Sequence, residues 1–207
     1  MIDIVIPNNN EEEFILVAEK LGFKGICFLY EFNDYSAKQE KFVNNGKKIK
    51  IYNGILANHK DIRKISTKLK GANVFIAVKS SNNDREIIEK SSADLIFSLE
   101  ENTRRDFIHQ RASGLNHILC KLAKENKVIV GFSLTSILNA GNKHEVLGRI
   151  MQNIKICRKF KTKTIVGSFT GKPFEMRSVH DIMSLFGILG LKSSVFLKEG
   201  DIKQKTS

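Results

Sequence analysis

Short apolar runs that alternate with helix-period segments along the whole chain restrict it to an α/β architecture. The runs fall at residues 2–6, 25–29, 50–55, 74–78, 94–98, 128–132 and 164–167. Each is short enough for a strand and apolar enough to be covered on both faces. Between them, the 3.6-residue period predicts helices near 11–21, 59–69, 84–90, 113–126, 143–160 and 178–189. A strand followed by a helix that returns the chain over the sheet is the unit of a parallel sheet, so about seven parallel strands with surrounding helices are expected. Periodicity leaves a closed barrel and an open doubly wound sheet both standing, since each repeats this unit. Pro7-Asn8-Asn9-Asn10 follows the first strand where G-x-G-x-x-G would stand, and no G-x-x-x-x-G-K-[ST] occurs, which disfavours a nucleotide-binding sheet. With 207 residues and no Pro/Gly/Ser linker, residues 1–200 are read as one domain and 201–207 as a short polar tail that frays.

The densest chemistry lies in residues 104–133, where cationic and imidazole side chains lead into one helix and then one buried strand. Leu115, Ile118, Leu119, Leu122 and Ala123 share the i, i+3, i+4, i+7, i+8 spacing of a single helical stripe. Ser113 is the expected N-cap, and Lys121 and Lys124 lie toward the negative end of the helix dipole. In the helix at 143–160, Leu147, Ile150, Met151 and Ile154 form the expected buried stripe. Arg149, Gln152, Lys155 and Lys159 fall largely outside it and give that helix a basic outer face. On composition alone, Arg104, Arg105, Arg111 and His117 read equally well as solvated surface and as a binding group.

Lys and Arg number 34 against 22 Asp and Glu, a formal charge of +12. Such an excess favours a polyanionic partner, because each neutralised phosphate releases a condensed counterion; a general lysine bias also contributes to it. No stretch approaches the roughly 20 apolar residues of a membrane span, and no signal-peptide pattern precedes the first strand, so a soluble, intracellular protein is expected. Cys27, Cys120 and Cys157 are too far apart in sequence for a disulfide framework or a zinc pattern and are read as small buried groups.

A self-sufficient barrel phosphoesterase needs His, Asp and Glu gathered at the strand ends to hold metal ions. His59, His109, His117, His144 and His180 are scattered, and no His-x-His follows the first strand. Glu31 and Glu100 are read as solvated loop residues rather than a working carboxylate pair. No Ser-His-Asp arrangement or activated cysteine is legible.

Arg111, Gly114-Leu115-Asn116-His117, Leu119, the run Lys121-Leu122-Ala123-Lys124-Glu125-Asn126, and the following strand into Phe132-Ser133 resemble the signature region of ribonuclease P protein component 3. This is the thirty-kilodalton subunit family of archaeal and eukaryotic RNase P. The opening Met1-Ile2-Asp3-Ile4-Val5-Ile6-Pro7 is similar to that family's first strand, and Met176-Arg177-Ser178 leading to Asp181-Ile182 and Leu185 resembles its closing repeat. Asn139-Ala140-Gly141-Asn142-Lys143 departs from the pattern like an insertion.

The resemblance implies a TIM-barrel-like fold of the polymerase and histidinol phosphatase type. It also implies a protein subunit that assists a catalytic RNA in removing the 5′ leader from precursor tRNA, within a cytoplasmic ribonucleoprotein endonuclease. The polypeptide would hold no cofactor; Mg²⁺ would serve the RNA component. Partners would be RNase P RNA, precursor tRNA and a small α+β protein in a heterotetramer, with no membrane. RNA contacts are expected at Lys79, Arg105, His109, Arg111, His117, Lys121 and Arg177, no catalytic residue is named, and Phe169, Phe174 and Phe186 are candidates for exposed apolar contact. The alternatives are that Arg177 pairs with Asp181, that His117 caps its own helix, and that Asp106 orients Arg104 or Arg111. The competing readings are a stand-alone metal-dependent phosphoesterase and a general RNA-binding module.

Overall fold

The computed structural model describes residues 1–39, 48–69, 74–90, 93–101, 105–106, 108–192 and 196–202. The strands β1 (Ile2–Val5), β2 (Gly25–Glu31), β3 (Lys50–Ala57), β4 (Phe75–Lys79), β5 (Leu95–Phe97), β6 (Ile129–Ser133) and β7 (Thr164–Gly167) form one parallel sheet in sequential order. Helices α1 (Glu11–Lys20), α2 (Phe32–Gln39), α3 (Ile62–Lys68), α4 (Asp84–Glu89), α5 (His117–Glu125), α6 (Leu134–Leu138), α7 (Lys143–Phe160), α8 (Val179–Ile188) and α9 (Glu199–Ile202) accompany it. All seven expected strands are present. No helix is expected at α2, α6 or α9: α6 and α9 have five and four residues, too few for a helical period to stand out, and α2 carries few apolar residues to mark one.

Strictly sequential order without a reversal is barrel topology, and the curl brings β7 back beside β1. The seam is closed by the segment after β7: Phe169 N–H donates to Ile4 O at 2.7 Å, and Ile6 N–H donates to Thr170 O at 2.9 Å. Asp3 reinforces it from β1, its buried carboxylate accepting from Ser168 N–H at 2.8 Å and from the Ser168 hydroxyl at 2.6 Å. Burial pushes this carboxyl up to about 6, against the pull of the Ser168 hydroxyl and amide.

Side chains alternate between two cores, as the period of a strand requires. Ile4, Leu29, Phe75, Leu95, Phe97 and Ile129 fill the barrel, while Val5, Phe28, Ile76, Ile96, Val130 and Phe132 pack outward against the helices. Near the C-terminal strand ends the barrel is plugged. Phe169 stacks on Phe97 with ring centroids 4.4 Å apart, and there is room for it because Gly131 and Gly167 carry no side chain: a Cβ at either would lie 3.2 Å from its ring. Phe169 holds φ +50°, a left-handed conformation that a non-glycine residue adopts only when packing compels it.

Several expectations need correction. Ser113 is not the N-cap of α5; Asn116 is, its side chain accepting from Leu119 N–H at 2.9 Å, and the helix starts at His117. Ile118 is exposed, because the buried stripe of α5 runs through Leu119, Cys120 and Ala123 toward the barrel and α7. On α7, Met151 is 50 % exposed whereas Arg149 is 5 % exposed. The stripe has turned because a loop, and not solvent, covers the Arg149 side of the helix. Phe169 and Phe186 are core; Phe174, at 86 % exposure, is the exposed one of the three phenylalanines. Cys120 and Cys157, remote in sequence, meet between α5 and α7 with sulfurs 3.8 Å apart, and all three thiols are buried. Asp201 and Ile202, expected to fray, form the end of α9, with Asp201 paired to Lys163; residues 203–207 lie outside the described residues.

Candidate nucleic-acid interface

Three side chains on two successive turns of α7 latch the loop before α5. Arg149 Nε donates to Asp106 at 2.9 Å; Gln152 Nε2 donates to Arg111 O at 3.0 Å and to Ser113 Oγ at 2.8 Å; Asn153 Nδ2 donates to Ser113 O at 2.8 Å. Asp106 also accepts from Ala112 N–H at 2.8 Å and from the Arg111 guanidinium at 3.2 Å. Desolvation opposes ionisation of this carboxyl, but the amide and the two guanidiniums prevail and hold it below its ordinary value. Asp106 thus orients Arg111; Arg104 lies outside the described residues.

The loop reaches α7 through two glycines. Gly114 sits at φ +78°, where a Cβ would collide with the Leu99 carbonyl, so a tight left-handed turn passes the segment just after β5 there. Gly148, within α7, presents bare backbone on which the Arg111 guanidinium rests: a Cβ would lie 2.6 Å from Arg111 Nε. The outer side of Arg111 remains about half exposed.

Beyond this latch, α5 and α7 meet around Phe160. The His117 ring lies 6.5 Å from that of Phe160, tilted 32°, and the ammonium groups of Lys121 and Lys159 sit over the same ring at 5.6 and 5.8 Å. Cations facing an aromatic ring keep their charge and their hydration on the outer side. No ion pair engages His117, Lys121, Lys124, Lys155 or Lys159 among the described residues. His117 does not cap α5 by its side chain, since Asn116 does so. The arrangement offers an aromatic face ringed by free cations, suited to phosphates and unpaired bases.

The seven predicted contacts therefore divide. His117 and Lys121 share the Phe160 cluster, whereas Arg111 rests on α7 at Gly148, about three turns before Phe160. Arg105 and His109 are exposed on the latched loop. Lys79 stands apart at the end of β4, paired to Glu101 at 2.7 Å. Arg177 precedes α8 and donates to Phe174 O and Met176 O at 2.9 and 2.8 Å rather than to Asp181. Phe160 was not among the predicted contacts, although Arg158-Lys159-Phe160-Lys161 carries the signal of an aromatic residue among cations. Gly148, Gln152 and Asn153 had no signal of their own, because their role depends on which loop folds over α7.

At the strand ends, Glu31 is exposed and Glu100 is fully buried, so they form no pair, and the reading of Glu100 as solvated is overturned. Neither Glu100 carboxyl oxygen has a well-formed hydrogen bond, because the neighbouring Ser136 hydroxyl donates to Glu101 at 2.7 Å. Burial pushes Glu100 up to about 7. Among the described residues, no group of three His, Cys, Asp or Glu side chains is placed to hold a metal ion. With Phe97 and Phe169 filling the barrel and Lys79 neutralising Glu101, the donor set does not fit the metal centre of a barrel phosphoesterase.

A family described as RNase P subunit p30 matches residues 1–195. Ribonuclease P protein component 3 of Methanococcus vannielii is 23% identical over 192 residues, covering 86% of this chain and 79% of that protein. The namesake from Methanosarcina barkeri is 23% identical over 196 residues, covering 92% and 79%. Among solved structures, a chain of archaeal ribonuclease P with mature tRNA superposes with TM-score 0.74 at 20% identity, covering 92% of this chain and 83% of that one. Histidinol phosphate phosphatase from Lactococcus lactis, complexed with zinc, L-histidinol and phosphate, superposes with TM-score 0.63 at 10% identity, covering 98% and 97%. The fold is thus shared with a zinc-bound phosphatase.

Proposed function

The chain belongs to the RNase P subunit p30 family, and from that membership we infer that it is a protein subunit of ribonuclease P, assisting RNA-catalysed removal of the 5′ leader from precursor tRNA. The observation that supports an assisting rather than a cutting role is the contrast between a plugged barrel mouth and a free cationic cluster around Phe160.

The physical work of such a subunit is electrostatic. Folded RNA brings phosphates together, and cations held on a rigid scaffold lower their repulsion without the entropy cost of gathering mobile ions. Arg111, pre-aligned by Asp106 and the backbone of Gly148, offers its exposed edge for two-pronged contact with a phosphate. Lys121 and Lys159 offer point charges, and His117 a ring nitrogen for hydrogen bonding, around a ring on which a base stacks. Arg105 and His109 extend the surface along the loop; Lys79 and Arg177 are outlying contacts on the mouth side. Recognition of this kind follows backbone shape and depends weakly on sequence. Hydrolysis belongs to the RNA with its own Mg²⁺.

In this reading the subunit works in the cytoplasm alongside a small α+β protein, as a heterotetramer, and the exposed Phe174 is available for protein contact. No helix among the described residues is long and apolar enough to cross a membrane.

Reconstitution with the cognate RNA and companion proteins tests the proposal. Adding the chain is expected to raise leader removal and lower the Mg²⁺ requirement, while the chain alone leaves precursor tRNA uncut. The double substitution Arg111→Ala/His117→Ala is expected to reduce stimulation about tenfold, the loss of one or two charge-assisted contacts, with a nearly unchanged thermal transition. Cleavage by the chain alone, or full stimulation by the double variant, would count against this assignment.

A further inference from the structure

A second cationic feature lies at the opposite end of the barrel from the plug. Where β4, β5, β6 and β7 begin, a cavity of about 600 Å³ opens, with Lys124, Lys127, Lys161 and Lys163 among its lining residues. Its volume falls in the range of small-ligand sites. Val74, Ala123 and Ile202 contribute apolar wall, so the cavity combines a surface for a planar group with cations for an anion.

Two observations separate this cavity from ordinary surface charge. The first is the state of its carboxylates: Asp201 is paired to Lys163, and Asp94 accepts from Ile76 N–H at 2.7 Å. Lys124, Lys127 and Lys161 have no ion pair among the described residues. The second is backbone conformation. Lys127 and Lys161, just past the ends of α5 and α7, both adopt the left-handed conformation, at φ 57° and 56°. Glycine is the usual residue there and would be free of the steric cost of about 1 kcal/mol or more. The negative ends of two helices account for a nearby lysine at each, but not for two strained lysines lining one cavity.

The cavity also continues the surface already described. Lys121 and Lys124 are one turn apart on α5, and Phe160 and Lys161 are adjacent in sequence. A strand stacked on Phe160 therefore arrives at the rim. Resting on the reading of this chain as an RNA-binding subunit, we propose that the cavity at the N-terminal end of the barrel takes one unpaired ribonucleotide, its phosphate held by Lys124, Lys127 and Lys161 and its base against the apolar wall.

The test is a titration of full-length protein with a single-stranded uridine heptamer and with a blunt RNA duplex of equal length, across a series of salt concentrations. The variant Lys127→Gly/Lys161→Gly removes both charges while relieving both strained conformations, so loss of fold is not the expected outcome. It should bind the heptamer about tenfold more weakly, with the slope of log affinity against log salt shallower by about 1.4, and bind the duplex within about twofold of wild type. Equal heptamer affinity, or an equal loss for both RNAs, overturns the nucleotide site. Stimulation of leader removal by the wild-type chain, measured alongside, separates the two levels. If stimulation holds and the heptamer result fails, the cavity proposal alone is lost; if the wild type neither stimulates nor binds, the RNA-subunit reading goes with it.

Discussion

The two ends of the barrel are built from the same kinds of charged residue and use them in opposite ways. At the mouth, charge is cancelled internally: Lys79 pairs with Glu101, Lys172 with Glu175, and the nearby Arg149 with Asp106. Across α5 and α7 and down to the N-terminal end, Lys121 and Lys159 stand over an aromatic ring and Lys124, Lys127 and Lys161 line a cavity, none of them in an ion pair among the described residues, while the cavity's Asp201 is taken by Lys163. A barrel enzyme places its chemistry at the mouth. Here Phe97 and Phe169 plug the barrel interior and Lys79 and Lys172 are paired, while the unpaired lysines named above lie elsewhere. Net charge alone would not have separated the two regions; pairing does.

The sharpest way to break this contrast is to open the mouth. Phe169→Ala removes the ring that stacks on Phe97 and leaves a void over Gly131 and Gly167. A loss of about 3–5 kcal/mol in urea unfolding is expected, the range for truncating a buried Phe. RNA affinity, measured where the variant remains folded, should not change. A stable variant with weakened RNA binding would mean that the mouth is part of the interface.

A smaller effect is expected at Glu100. Its carboxyl ordinarily ionises near 4.5 and is raised to about 7 by burial. Between those values the folded state holds the proton more tightly than the unfolded chain, so stability from this group falls as pH rises from about 4.5 through about 7. Glu100→Gln removes that fall and should be more stable than wild type at pH 8 by up to about 3 kcal/mol. Asp3, raised to about 6, leaves a residual slope of the same sign. Asp106 acts in the opposite sense: its lowered carboxyl contributes stability above its unfolded value that is lost as pH falls through the folded one. Parallel wild-type and variant profiles in pH-dependent urea unfolding would show that Glu100 has a partner at the mouth.

How much of this was legible in the sequence follows from which interactions are local. The strands and longer helices were readable because burial imprints its period on consecutive residues. The C-terminal half of α5 was readable for the same reason, but its start was not: Ser113 and Asn116 are both good caps, and the choice was made by Gln152, Asn153 and the turn at Gly114, which commit Ser113 to α7. Arg111, His117 and Lys121 were accessible through a family resemblance to one contiguous segment, whereas Phe160 joins them only after α5 packs on α7. Glu100 looked solvated because it follows a short strand amid charged neighbours; nothing in its local sequence announces that Arg149, from 49 residues away, donates to its backbone carbonyl at 3.3 Å and helps bury it.

The smallest expected effect bears most directly on why the free cations act. If Arg111 works only as one more positive charge, its orientation is immaterial; if the latch on α7 pre-organises it, displacement without loss of charge should weaken RNA binding. Gly148→Ala separates these cases. The added methyl overlaps the guanidinium, the movable end of a flexible side chain, so Arg111 is displaced while α7 itself gains about 1 kcal/mol of helix propensity. Displacement also costs the half-exposed Arg111–Asp106 pair, worth at most about 1 kcal/mol, which leaves net stability close to wild type. RNA affinity should fall about two- to threefold, less than on Arg111→Ala, with an unchanged salt slope because the number of cations is the same. Affinity equal to wild type would reduce Arg111 to generic charge; a loss as large as that of Arg111→Ala would mean that orientation carries nearly all of its contribution.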